Sequence, residues 1–120
     1  NFSHFFEKDE VNEMANCIYT VLVCDRLEID QRTRFPEFGS ERLVGFYFDK
    51  KEAFDHVHNN ACDICEYAYT YAIIEEVYEG FYQPAGHDQR WFFKFDRETG
   101  TYEPINEPTE FEHYVGFTIG

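Results

Sequence analysis

Serine is almost missing from this chain of 120 residues; only Ser3 and Ser40 occur. With so little of it and no G-x-S-x-G motif, serine-nucleophile catalysis has no support. A glycine-rich phosphate loop and an H-E-x-x-H metal pair are absent too. Basic residues are scarce: 10 Lys and Arg stand against 24 Asp and Glu, leaving a net charge of −14. Small domains commonly carry a net charge of magnitude about 2 to 8. A field of this sign and size repels phosphate, so direct nucleic-acid binding and binding to an anionic membrane are disfavoured. It attracts a basic protein partner or cations, while acidity that serves solubility alone is the blander reading.

Long apolar runs are lacking as well. None approaches the ~20 residues of a membrane span, and no charged-then-apolar leader of the secretory type opens the sequence. What the chain has instead is aromatic: 14 Phe, 9 Tyr and 1 Trp within an apolar fraction of 43%. That composition favours strands over helices. A chain of this length is the size of one domain and buries roughly two thirds of the surface its unfolded form exposes.

Residues 1–16 are polar except for Phe2, Phe5 and Phe6, whose spacing suits one short amphipathic turn, and they read as an N-terminal extension. Residues 17–120 read as a single domain. The run CIYTVLVC, Cys17 to Cys24, is a buried strand by its density of β-branched and apolar residues, and its near-continuous apolarity suggests a central place in a sheet. Residues 25–41 are polar, contain Pro36 and Gly39, and read as a long loop.

RLVGFYF, Arg42 to Phe48, is the next strand. Asp49-Lys-Lys-Glu52 then has the form of a capping box, and Ala53, Phe54, Val57 and Ala61 fall on one face of a helix over about residues 50–60. ICEYAYTYAIIEEVY, residues 64–78, alternates with period two and predicts a long strand that sets Cys65, Tyr67, Tyr69, Tyr71 and Ile73 on one face. RWFFKFD and TYEPI flank Arg97-Glu-Thr-Gly100 as a hairpin, with Pro104 placing the second strand at an edge. A helical turn after Pro108 and a short strand over 114–119 complete the pattern. The expected fold is α+β: a mainly antiparallel sheet of about five strands with one principal helix, about 50–60, packed on one face.

The block RLVGFYFDKKEAFDHV followed by a long strand ending IIEEV resembles small uncharacterised bacterial and phage-encoded proteins of a domain-of-unknown-function family. The resemblance spans about residues 17–96 and rests on helix capping and strand patterning. It implies an α+β sheet crossed by one helix, and it assigns no catalytic residue.

The segment HVHNNACDIC, His56 to Cys65, holds two histidines and two cysteines. Cys62 and Cys65 have the spacing of one half of a zinc site, so zinc is the cofactor the sequence brings into question. The second half is missing. Cys17 and Cys24 would stand about 23 Å apart along a strand, and His56 and His58 would point about 200° apart on a helix. A redox C-x-x-C opens a helix, whereas this pair follows one. The reading favoured is that Cys17, Cys24 and Cys65 are small buried hydrophobes and Cys62 caps a helix–strand connection. Four thiols without a staple pattern point to a reducing cytoplasm.

Tyr67, Tyr69 and Tyr71 with Trp91 form a candidate aromatic surface for a partner or ligand, a core face, or a homodimer interface. Arg32 and Arg34, with Arg26 and Arg42, are candidates to hold an anion beside the 25–41 loop. The function expected is a non-catalytic interaction or regulatory module in the cytoplasm, one variant being an inhibitor that mimics nucleic acid with its carboxylates. The alternative is a small ligand-binding domain or enzyme with a pocket near that loop.

Overall fold

The run of apolar residues from Cys17 to Cys24 forms β1, and it is buried because it has a neighbour on each side and a layer on each face. The computed structural model describes residues 17–34, 36–37, 39–80, 89–111 and 116–117. After β1 come β2 (Glu28–Ile29), β3 (Pro36–Glu37), β4 (Arg42–Tyr47), helix α1 (Lys50–His58), β5 (Tyr71–Tyr78), β6 (Arg90–Asp96) and β7 (Thr101–Ile105). Single 3-10 turns occupy Ala61–Asp63 and Thr109–Phe111. The main sheet is antiparallel throughout, in the order β4-β1-β5-β6-β7. This is the expected α+β architecture, five strands and one helix across them. β4 and β5 both oppose β1, so they are parallel to each other, and α1 carries the chain between them.

The helix begins where the capping box placed it. Asp49 is extended, and its Oδ2 accepts from the Glu52 backbone N–H at 3.1 Å. Asn59 closes the helix and Asn60 takes the left-handed conformation, φ 51°, which asparagine tolerates better than most. Ala53 and Val57 are fully buried on the sheet, where they meet Val21, Val23, Ala72, Ile74, Phe93 and Tyr102. Phe54 adds edge-to-face contacts to Trp91 and Phe93, with ring centroids 5.3 and 5.4 Å apart.

The opposite face holds a second apolar layer of Leu22, Ile73 and Phe92, covered by Leu27, Ile105 and Phe117. Glu75 is buried there and accepts from the Phe117 backbone N–H at 2.9 Å, so the carboxylate fastens residue 117 onto β5. Arg90 works from the neighbouring strand: its Nη2 donates to the Phe111 carbonyl at 2.6 Å, its Nε pairs with Glu107, and its guanidinium lies over the Phe117 ring.

The hairpin at residues 97–100 is present, with Gly100 at φ 73° and its N–H donating to the Asp96 carbonyl at 2.8 Å. Pro104 lies on β7, which is an edge strand. Two expectations need correction. The 25–41 loop contains a small ladder, β2 with β3, closed by the Asp25 N–H on the Gly39 carbonyl. The strand expected from residue 64 starts at Tyr71. Its partner on one side explains why: Tyr71 is opposite Cys24, the last residue of β1, so the alternating residues before Tyr71 have no β1 residue to pair with. On the other side Thr70 alone still accepts from the Phe95 N–H of β6 at 2.8 Å. The aromatic turn near residues 2–6 and most of the strand expected over 114–119 lie outside the described residues.

Candidate functional site

Among the described residues, β4 and the residue after it carry most of the large exposed apolar side chains. Residues 42–46 are all exposed, and among them and just beyond stand Leu43 at 54%, Phe46 at 54% and Phe48 at 77%. The register places Leu43 opposite Leu22 and Phe46 opposite Thr20, so both extend the second apolar face past the reach of Leu27, Ile105 and Phe117. Phe46 and Phe48 meet edge to face at 5.6 Å. Among the described residues β4 pairs on one side only, with β1.

A bulge between Val21 and Leu22 in the register leaves Val44 as an extra residue in β4. Val44 turns to the lining of a cavity of about 230 Å³ between β4 and α1, together with Gly45, Tyr47, His56, Val57 and Cys62. A Cβ built on Gly45 would meet nothing within 4 Å, so the backbone of β4 is open at that point. Tyr47 and His56 pack ring against ring at 4.8 Å and form one wall. Burial first, then the nearby Cys62 and Glu52, push the Tyr47 hydroxyl up, so it stays a neutral donor at physiological pH.

The far wall is built from a strained connection. Between residues 60 and 67, Asn60, Cys62, Asp63, Glu66 and Tyr67 all have positive φ. Such conformations cost of order 1–3 kcal/mol for residues other than glycine and persist only where the surroundings hold them. Here the Asn60 side chain accepts from the Cys65 N–H at 2.9 Å and donates to Asp63 at 3.2 Å, and Glu66 reaches Arg42 of β4 at 3.1 Å.

The residues singled out from sequence do not assemble into one site. Tyr67 is 87% exposed in this connection, Tyr69 packs against the helix-side core, and Tyr71 opens β5 on the face of Ile73. Trp91 is on the helix side beneath Lys50, whose Nζ is 4.6 Å from the ring. Arg32 and Arg34 are exposed in the turn that Asp30 organises by accepting from the Arg32 N–H at 2.7 Å. Arg26 and Arg42 are engaged by Glu28 and Glu66. Cys62 is exposed and Cys65 buried, so the two do not share an environment, and no disulfide joins any of the four cysteines. Among the described residues no three His, Cys, Asp or Glu side chains gather as a metal site would need. No described helix is long and apolar enough to cross a membrane.

The β4 surface was not anticipated as a site. A signal was available in RLVGFYF, which is apolar on outward as well as inward positions and has a glycine in its interior. Compared with known proteins, the chain finds no match: no family model fits it, and no curated protein or solved structure is similar to it.

Proposed function

We propose that this chain is a cytoplasmic, non-catalytic protein-binding module whose partner is basic. The observation that carries the reading is the bare strip of Leu43, Phe46 and Phe48 on a chain of net charge −14. Large aromatics exposed together beside charged residues are characteristic of interaction sites. The charge then raises the encounter rate with a positive partner and rejects negative ones.

The test is affinity capture on two matched columns, wild type and the Phe46→Ser/Phe48→Ser double variant, with folding of both checked by circular dichroism. A basic protein held by the first column, eluted by salt and lost from the second supports the module reading. Identical sets of bound proteins on both columns exclude it.

A further inference from the structure

Resting on that reading, we propose that the outer edge of β4, unpaired among the described residues, takes up an extended, lysine- or arginine-rich segment of the partner as a sixth strand. One apolar side chain of that segment seats in the cavity beside Gly45.

Edge strands with unpaired backbone groups template the addition of further strands, and most folds block them. β7, the opposite edge, follows that rule with Pro104 and Glu103 in five residues. β4 is protected less. It carries Leu43, Val44, Gly45 and Phe46 without a proline, its one charge, Arg42, is held by Glu66, and the bulge at Val44 is the edge-blocking device it has.

The cavity suits strand addition better than it suits a small molecule. Binding sites for drug-sized ligands run to roughly 300–1,000 Å³. This cavity holds about 230 Å³ and borders the strand itself, lined by Val44, Gly45 and Tyr47. Strand addition joins main-chain hydrogen bonds along an edge to pockets for alternate side chains, and here an edge strand borders one such pocket.

Charge decides what occupies the edge. Glu41, Asp49, Glu52 and Asp63 are exposed around it. The cations of this region are already engaged: Arg42 by Glu66, Lys51 by Asp55 at 2.9 Å, and Lys50 by the Trp91 ring. A second copy fits poorly. Antiparallel pairing of two β4 strands about Gly45 sets Glu41 of each against Asp49 of the other, and each copy brings a charge of −14.

The probe is a synthetic peptide that alternates lysine with valine and phenylalanine. Its controls are the same peptide with glutamate for lysine, and two versions N-methylated on complementary sets of alternate residues. Binding is read by amide chemical shifts in the full chain and by titration at low and high salt. The lysine peptide is expected to shift residues 42–48 together with His56 and Cys62, and to weaken roughly tenfold at high salt. One N-methylated version should bind like the parent and the other lose binding, because alternate amides along a strand face opposite edges. Gly45→Val, with an unchanged urea midpoint, should weaken binding at least about tenfold by filling the mouth of the cavity.

The proposal is overturned if the lysine peptide does not bind, if its shifts fall elsewhere, if the glutamate peptide binds as well, or if both N-methylated versions bind like the parent. Partner capture that depends on Phe46 and Phe48 without peptide binding removes strand addition and leaves the module reading standing. Failure of both experiments removes both.

Discussion

The Tyr102 hydroxyl donates to the Tyr69 carbonyl at 2.6 Å, tying β7 to the connection that precedes β5. Tyr102 is fully buried, and its own carbonyl lies 3.0 Å from His58 Nδ1 in the last turn of α1. A carbonyl only accepts, so that histidine nitrogen carries the proton. One residue of an edge strand thus fixes both ends of the path from helix to sheet. Tyr102→Phe leaves the Tyr69 carbonyl without this donor, and a loss of about 1–2 kcal/mol in urea unfolding is expected.

Burial also shapes the alkaline limit of stability. Desolvation first, then the Asp25 carboxylate beside it, push the Cys24 thiol up to about 12, and burial first raises the Tyr102, Tyr19 and Tyr47 hydroxyls above the usual tyrosine range. Unfolded, these groups release their protons near pH 8.5 for cysteine and about 10 for tyrosine. Between those values and the raised ones the native state holds protons that the unfolded chain has lost, so unfolding free energy falls as pH rises. Urea midpoints are expected to hold steady up to about pH 8 and to decline steadily from about pH 9 to 12. A flat profile over that range contradicts the burial of these groups.

The four cysteines should separate cleanly by reactivity. Cys62 is exposed, whereas Cys17, Cys24 and Cys65 are buried at 7%, 0% and 4%. Native labelling with a thiol reagent is expected to show one fast equivalent, abolished by Cys62→Ser, with the remainder reacting only on unfolding. Two fast equivalents would mean that one of the three buried thiols is open in the native state.

Much of this architecture was legible where the signal was local. The capping of α1 by Asp49, the hairpin closed by Gly100 and the edge position of Pro104 each follow from a few neighbouring residues whose backbone demands are specific. The start of β5 was not, because alternation before Tyr71 is a property of the segment whereas pairing is a property of its partner, and β1 ends at Cys24. The candidate site was hidden for the same reason. Whether Leu43 and Phe46 are covered depends on where residues far along the chain, Ile105 and Phe117, come to rest. Of the tyrosines chosen from sequence, Tyr69 packs against the core and Tyr67 stays in the connection, both ahead of the β1 pairing that Tyr71 begins.

Asp49 gives a direct test of the local signal. Replacing it with alanine removes the acceptor for the Glu52 N–H at the start of α1, and a loss of about 1 kcal/mol is expected, within a range of roughly 0.5–2. Asp49→Asn keeps an acceptor and should cost markedly less. Equal losses for the two variants would assign the effect to the charge at the helix N-terminus and not to the cap.

Two apolar residues on the same sheet face should respond very unequally to truncation. Ile73 is fully buried in the middle strand between Leu22 and Phe92, its partners in the register, and Ile73→Ala opens a cavity at the centre of the second layer. A loss of about 2–5 kcal/mol is expected. Leu43 extends that layer onto β4 but is 54% exposed, and Leu43→Ala should stay within about 0.5 kcal/mol of wild type. The contrast carries functional weight, because an apolar side chain that contributes little to folding and still stands on the surface is free to contribute to binding. If Leu43→Ala costs as much as a core truncation, the outer face of β4 is covered in solution and is not available to a partner.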